Sequence, residues 1–220
     1  RVIVLAPDVC LVADGSVKDV LAEQRAWLLE LGVWVPNAPV PDALAPPAGA
    51  LREPRAGHIV SASTLHVGTR AVLEQPIEAK AGSLTALVGP SGGGKSTILH
   101  ALAGFVSPTQ GAVSIAPHRS APELARTLAW VPQWSSSTVI ATSVLDDVLV
   151  TTRALGEESP QSLARARALL AAVGLTHLEQ ADPRTLSGGE QRRLALAAAL
   201  HHGPPTLLVD EPTIGQDRHT

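Results

Sequence analysis

The amino-acid sequence predicts an α/β fold in which a mixed sheet with flanking helices surrounds a phosphate-binding loop. An apolar run at residues 84–88 leads into a glycine-rich segment and then into a helical pattern, which is the order strand, loop, helix. Other short β-branched runs alternate with helical patterns along the chain. Apolar residues recur at helical spacing over residues 144–178, which predicts a helical subdomain inserted into the sheet core.

The N-terminal residues 1–36 predict a hairpin followed by a helix. Residues 2–5 and 9–13 are β-branched runs, and Ser16 is placed to cap a helix over residues 17–31. A unit of this size buries too little apolar surface to be stable alone, so we expect it to dock on a larger body.

Residues 37–57 are rich in proline and contain few large apolar side chains. Because proline fixes φ and removes a backbone donor, this composition favours a semi-extended linker. We therefore expect a domain boundary here, followed by a larger domain over residues 58–220. Its predicted strands are residues 59–67, 72–77, 84–88, 112–115, 128–131 and 206–209, and its helices outside the helical subdomain are residues 95–103 and 191–201.

The glycine-rich segment has the pattern of a phosphate-binding loop. Its glycines let successive backbone N–H groups turn towards phosphate oxygens, the Lys95 ammonium can reach the β and γ phosphates, and the Ser96 hydroxyl can ligate Mg²⁺. The residues predicted to hold a nucleoside triphosphate are Gly89, Pro90, Ser91, Gly92, Gly93, Gly94, Lys95, Ser96 and Thr97.

Two carboxylates follow the predicted strand at residues 206–209. Hydrolysis of a triphosphate needs a carboxylate near Ser96 to hold Mg²⁺, and we assign this role to Asp210. Glu211 lies one residue further, where it can deprotonate the attacking water, and we assign it as the general base. Without the phosphate loop, the same pair would be read as the start of a solvated turn.

A second anion-binding pattern opens the last predicted helix. Ser187, Gly188 and Gly189 place a hydroxyl and two glycines at a helix N-terminus, where backbone N–H groups and the helix dipole favour negative charge. The alternative is a glycine-rich helix cap that binds no ligand.

Together these motifs resemble the ATP-binding cassette (ABC) family over residues 59–220. The matching segments are residues 89–97 for Walker A, Gln133 for the Q-loop, residues 186–191 for the signature motif, residues 206–210 for Walker B and residues 212–217 for the D-loop. Glu190 stands where glutamine is more usual in the signature, and Gln216 stands where leucine is more frequent in the D-loop. The resemblance implies a P-loop NTPase core that binds ATP and Mg²⁺ and hydrolyses ATP.

The resemblance also implies partners. Two cassettes of this family pair head to tail, so Ser187, Gly188 and Gly189 would act on the nucleotide of a second ABC cassette. Gln133 would contact Mg²⁺ or the attacking water and relay its state to transmembrane transporter subunits. The chain would then lie peripherally at the cytoplasmic face of the cell membrane, as in the energy-coupling factor importers to which this arrangement is similar.

Residues 1–36 look like the closing segment of a preceding ABC cassette. The chain would then be a piece of a tandem protein, with the second cassette truncated after the D-loop at residue 220. The strand and switch histidine that normally follow would be missing, so we expect weak ATP binding or slow hydrolysis from the piece alone. The alternative is an unrelated N-terminal extension.

Composition limits the other function classes. The formal net charge is −3 and only Lys18, Lys80 and Lys95 are lysines, so no broad basic surface for nucleic acid is expected. Cys10 is the only cysteine, which excludes an intrachain disulfide and favours a reducing, intracellular location. No apolar run approaches the roughly 18 to 20 residues of a membrane span.

Two alternatives to a transporter ATPase remain. One is a soluble tandem ABC ATPase that acts on ribosomes or nucleic acid, although such proteins typically carry a charged helical linker or zinc-binding cysteines. The other is a degenerate cassette that binds ATP without turnover, against which Lys95, Asp210 and Glu211 argue.

Three further residues depart from the family pattern or adjoin a motif. The family usually stacks adenine on an aromatic residue before Walker A, whereas this region offers only His66, either as a substitute or as a surface histidine. Trp130 and Trp134 flank Gln133 and either pack in the core or line the surface that meets the transporter.

Overall fold

The computed structural model describes residues 2–5, 11–30, 35, 38, 60–114 and 120–212. It divides into two compact units, residues 1–51 with 216–220, and residues 52–215. Apart from residue 38, the predicted linker over residues 37–57 lies outside the described residues. The predicted domain boundaries therefore stay a prediction.

In the first unit the predicted hairpin is confirmed. Strand β1 (Val2–Leu5) pairs antiparallel with β2 (Leu11–Gly15). The single predicted helix is two short ones, α1 (Val17–Glu23) and α2 (Arg25–Glu30), which meet at Gln24. Ser16 caps α1 as predicted, because its Oγ accepts a hydrogen bond of 3.2 Å from the Asp19 amide.

The second unit begins with two antiparallel pairs of strands. Strand β3 (Val60–Ala62) pairs with β6 (Ile77–Ala79), and β4 (Leu65–Val67) pairs with β5 (Arg70–Leu73). The two longer predicted strands were therefore wrong in extent, since each is broken into shorter pieces. Where residues 112–115 were predicted as a strand, only a bridge from Val113 to Ala62 forms among the described residues.

A glycine explains how this bridge comes so near the first strands. Gly111 has φ of +91°, and a Cβ there would lie 1.7 Å from the carbonyl oxygen of Thr64. Only glycine can take this position, because any side chain would collide with backbone. The turn at Gly111 thus lets His66 bridge to Gln110.

The predicted strand at residues 84–88 is wrong. Leu84 is 100% exposed and Val88 is 89% exposed, and neither belongs to a strand. Residues 84–87 and the strand at Thr206–Val209 both line a cavity of about 410 Å³, and residues 84–88 pair with no strand among the described residues. An apolar run forms a strand only where a second strand satisfies its backbone groups.

Both strands of a parallel pair were predicted with the correct bounds, whereas their pairing was not predicted. Strand β7 (Leu128–Val131) pairs with β8 (Thr206–Val209), with Val131 opposite Val209. Helices α3 (Lys95–Leu102) and α4 (Ala121–Thr127) precede β7, and α4 was not predicted. Ile98 and Leu102 of α3 share a buried cluster with Leu128 and Leu208, which joins the loop helix to both strands.

The helical subdomain is confirmed. It contains α5 (Val144–Ala154) and α6 (Pro160–Ala172), which bury a cluster of apolar side chains with α7 (Gly188–His201). Helix α7 begins three residues before the predicted start because Ser187 caps it. Its Ala195 and Ala199 also pack against Ala129 and Val131 of β7, so α7 connects the helical subdomain to the strands.

Candidate nucleotide-binding and hydrolysis site

The predicted phosphate-binding loop turns tightly before α3. Gly92 and Gly94 have φ of +74° and +90°, a left-handed conformation that favours glycine. The Gly93 amide donates to the Pro90 carbonyl at 3.1 Å, and a Cβ on Gly93 would meet that same oxygen at 3.0 Å. These glycines therefore allow the backbone to close on itself, as the sequence predicted.

Lys95 lies across its own loop. Its Nζ donates hydrogen bonds of 2.9 Å to the carbonyl oxygens of Gly89 and Pro90. Gly94 caps α3 without a side chain, so Ser96 and Thr97 begin a helix whose first backbone N–H groups can receive phosphate oxygens. The role of the ammonium and of these N–H groups in binding phosphate stays a prediction.

An arginine that the sequence analysis missed also contacts the loop. Arg70, the first residue of β5, donates from Nη2 to the Gly92 carbonyl oxygen at 2.5 Å. The antiparallel pair of β4 and β5 therefore contacts the phosphate-binding loop directly through Arg70.

The two carboxylates lie where β8 ends. Asp210 is buried, and its amide donates to the Val131 carbonyl at 2.9 Å, which continues the parallel ladder by one residue. Glu211 is exposed and has φ of +50°, a conformation that is uncommon outside glycine. The chain therefore turns sharply between a buried and an exposed carboxylate.

Gln133 meets Glu211 across the ends of the two parallel strands. Because Val131 lies opposite Val209, the residues two positions beyond each strand also come together. The Gln133 Nε2 donates to Glu211 Oε2 at 2.7 Å. Two residues that the sequence assigned to one site are thus brought into contact.

The donor set fits Mg²⁺. Asp210 supplies a carboxylate, Ser96 a hydroxyl, and Gln133 an amide oxygen that its bond to Glu211 leaves available, and all are hard oxygen ligands. No cluster of three or more His, Cys, Asp or Glu side chains exists within the described residues. A site with one carboxylate suits Mg²⁺, which is usually bound together with substrate phosphates.

The predicted second anion site is a capped helix N-terminus. The Ser187 Oγ accepts from the Glu190 amide at 3.3 Å, while Glu190 Oε2 accepts from the Ser187 amide at 2.8 Å and from its hydroxyl at 2.7 Å. These bonds from Ser187 hold the pKa of Glu190 below its usual value. Glu190, the unusual residue of the motif, therefore completes a capping box.

The tryptophans near Gln133 have different surroundings. Trp130 packs edge-on against His100, with ring centroids 5.2 Å apart, and against Phe105 at 5.8 Å. Trp134 is 70% exposed and Ile140, a few residues later, is 69% exposed. The core interpretation is thus confirmed for Trp130, whereas the side chain of Trp134, the residue after Gln133, is exposed.

A model of the ABC transporter family matches residues 76–214 of this chain. YkoD of Bacillus subtilis, named for ATP binding in HMP/thiamine import, is 31% identical over 100% of this chain and 44% of its own length. An energy-coupling factor transporter ATP-binding protein, EcfA2 of Latilactobacillus sakei, is 36% identical over 63% of this chain and 50% of its own. The chain spans about half the length of these curated relatives.

Solved structures agree with this likeness. CbiO1 from Clostridium perfringens, part of the ABC transporter complex cbiONQ, superimposes with a TM-score of 0.60 and 28% identity, over 72% of this chain and 67% of that chain. An ATP-binding subunit of an ABC transporter superimposes with a TM-score of 0.64 and 25% identity, over 73% of this chain and 69% of that chain. Both are ABC ATPase subunits with the α/β fold that the sequence predicted.

Proposed function

This chain belongs to the ABC transporter family, and on that premise we propose that it binds and hydrolyses ATP to drive transport through a membrane partner. The observation that carries the proposal is the 2.7 Å contact between Gln133 and Glu211 at the ends of adjacent parallel strands. A carboxylate held by an amide at this position is suited to orient and deprotonate a water molecule.

The chain's own residues divide the work in this proposal. Backbone N–H groups of the loop and Lys95 bind the phosphates, and Lys95 exchanges its bonds to Gly89 and Pro90 for bonds to the β and γ phosphates. Ser96, Gln133 and Asp210 would hold Mg²⁺, which would neutralise charge on the phosphates. Glu211 accepts the proton of the attacking water and Gln133 fixes the direction of that carboxylate.

A second cassette completes the proposed site. Ser187, Gly188 and Gly189 lie at the start of α7, and Ser187 is exposed. Among the described residues, no hydrogen bond joins Ser187 to the chain's own phosphate-binding loop. We assign these residues to the nucleotide of a partner cassette, either in the same polypeptide or in a second copy. The composite site would explain why the chain carries two anion-binding helix N-termini.

Transmembrane subunits are the proposed partners of the surface beside Gln133. Trp134, which follows Gln133 in sequence, is 70% exposed, and an exposed large apolar side chain at this position supports a contact with another protein. Within the described residues, none of the helices has the length and apolar character needed to cross a membrane. The proposal therefore places the chain peripherally, at the cytoplasmic face of a membrane that its partners span.

The relatives favour transport over the soluble alternative. YkoD and EcfA2 both carry transport names, which argues against a tandem ABC ATPase that acts on ribosomes or nucleic acid. The alignment with YkoD extends over the whole chain, including residues 1–36. That residues 1–36 are the tail of a preceding cassette stays a proposal.

Glu211→Gln tests the proposed hydrolysis. In the full-length protein this variant should bind ATP with unchanged affinity but lose turnover by about 100-fold or more, since an amide accepts no proton. ATP binding and phosphate release are the measurements. Glu157→Gln is the matched control, because Glu157 forms only an exposed ion pair with Arg126 and should leave the rate unchanged. A Glu211→Gln variant that hydrolyses ATP at the parent rate would refute the general base.

A further inference from the structure

Arg192, in the second turn of α7, is a buried cation that no motif explains. Its side chain is only 2% exposed. The guanidinium donates to the backbone carbonyl oxygens of Pro132, Asp210 and Glu211, the last at 2.7 Å, and to the Ser135 hydroxyl at 3.3 Å. One side chain thus connects a helix to the ends of two strands.

The acceptors lie immediately beyond the two central strands. Pro132 follows β7 by one residue, while Asp210 and Glu211 are the first two residues after β8. Parallel strands bring their carboxyl ends to one edge of a sheet, and Arg192 bridges that edge. The bridge is adjacent to the Gln133–Glu211 contact in both segments, since Gln133 follows Pro132.

Packing alone gives no reason for a charge at this position. Ala195 and Ala199 of α7 already contact Ala129 and Val131, so α7 is held to β7 by apolar side chains. Burial lowers the pKa of Arg192, and the charges of Asp210 and Glu211 act in the opposite direction. Burying a guanidinium is costly, and an apolar residue would pack there with no such penalty.

The bond to Glu211 has a specific consequence. Glu211 has φ of +50°, which is strained for a residue with a Cβ. A charged hydrogen bond to its carbonyl oxygen stabilises this conformation, and the conformation directs the carboxylate to Gln133. Without the bond, the backbone can relax and the carboxylate is no longer held at 2.7 Å from the Gln133 amide.

We propose that Arg192 is a positioning residue for ATP hydrolysis, which holds the backbone at Pro132 and Glu211 so that the Gln133 and Glu211 side chains meet. This inference rests on the proposed function. Because Ser187 begins the same helix, a displacement of α7 is also transmitted through Arg192 to the backbone of Glu211.

The test compares Arg192→Met, Arg192→Lys and Arg193→Met in the full-length protein. Arg193 is the matched control, since it neighbours Arg192 on α7 but donates to the Val173 carbonyl at 3.0 Å, in the helical subdomain. Arg192→Met should lower kcat by at least about tenfold and change the Kd for ATP by less than about threefold, because small displacements of catalytic groups reduce rate more than binding. Arg192→Lys, which keeps a cation and donors, should recover part of kcat.

Amide hydrogen exchange in the nucleotide-free protein gives a readout that does not depend on activity. In Arg192→Met, exchange should accelerate at residues 133–135 and 209–211, and in Arg193→Met it should not. If Arg192→Met does not fold, Arg192→Lys is compared with the parent instead. The quantities compared are kcat and the rate of amide exchange.

The outcomes separate the two proposals. Parent protein that binds ATP without hydrolysing it would refute the proposed turnover, even where exchange accelerates in Arg192→Met. Parent protein that hydrolyses ATP, together with an Arg192→Met variant of equal kcat and unchanged exchange, would overturn only the role of Arg192. An equal loss of kcat and ATP affinity with no recovery in Arg192→Lys would also overturn it.

Discussion

The Gln133 Nε2 donates a 2.7 Å hydrogen bond to Glu211 Oε2, although 78 residues separate the two in sequence. The contact follows from the register of β7 and β8, in which Val131 lies opposite Val209. The contact joins two residues: Gln133, in the segment that leads towards the helical subdomain, and Glu211, the proposed general base. The orientation of Glu211 therefore depends on the position of Gln133.

Gln133→Ala should reduce turnover more than nucleotide binding. The variant removes the amide that holds the Glu211 carboxylate, so we expect kcat to fall by about tenfold or more with a small change in the Kd for ATP. Steady-state hydrolysis and equilibrium binding are the measurements. Ser137→Ala is the control, because Ser137 lies in the same segment and bonds only to the Trp134 carbonyl. Equal rates in both variants would contradict the orienting role.

Local chemistry made the loop and the carboxylates predictable. The conformation of residues 89–97 depends on its own glycines, and Asp210 and Glu211 follow directly from a buried strand, so neighbouring residues carried enough information. The contact between Gln133 and Glu211 could not be obtained in this way. It depends on the pairing of two strands that are distant in sequence.

Two other features depended on tertiary context. Residues 84–88 have strand composition, but they pair with no strand within the described part of the chain. Arg192 was missed because charged residues usually lie on the solvent side of a helix. A signal was present, since Arg192, Ala195 and Ala199 follow helical spacing and share the buried face of α7.

Lys95→Ala should weaken ATP binding. The ammonium is the cation proposed to receive the β and γ phosphates, and a charged hydrogen bond contributes roughly 1.5–3 kcal/mol, so affinity should fall by at least about tenfold. Equilibrium binding of ATP is the measurement. Lys80→Ala serves as the control, since Lys80 is an exposed lysine directly after β6. ATP affinity that is the same in Lys95→Ala and the parent would exclude the loop as the phosphate site.

Ser187→Ala should lower both stability and turnover. Ser187 caps α7 through the Glu190 amide, and loss of such a cap costs about 1 kcal/mol of unfolding free energy. The hydroxyl is also proposed to contact the nucleotide of the partner cassette, so the hydrolysis rate should fall. Urea denaturation and phosphate release are the measurements.

The Ser159→Ala variant separates the effect of Ser187 on stability from its proposed effect on ATP hydrolysis. Ser159 caps α6 in the same manner, because its Oγ accepts from the Ser162 amide at 3.1 Å. This variant should lose a similar amount of unfolding free energy, about 1 kcal/mol, and keep the parent hydrolysis rate. If Ser187→Ala also keeps that rate, then Ser187 is a structural cap with no contact to nucleotide.

The free energy of unfolding should decrease as pH falls below about 6.5, the usual pKa of histidine. His201 is buried, its Nε2 lies 2.8 Å from the Ser162 carbonyl oxygen and its Nδ1 lies 2.9 Å from the Thr152 hydroxyl. The Ser162 carbonyl oxygen can only accept, so Nε2 carries a proton, and in the neutral ring Nδ1 accepts from the Thr152 hydroxyl. Burial lowers the pKa of His201, the bond to Ser162 opposes this, and the Arg165 charge lowers the pKa further.

The sign follows from proton binding. Because the folded pKa lies below the unfolded value, the unfolded chain binds more protons once pH falls below about 6.5, and stability is lost from there down through the folded pKa. Burial also lowers the pKa of His202, so the two histidines act in the same direction. Urea denaturation between pH 7.5 and 5.5 should show a smaller pH dependence in His201→Gln than in the parent. An unchanged slope in His201→Gln would mean that His201 does not cause the loss of stability.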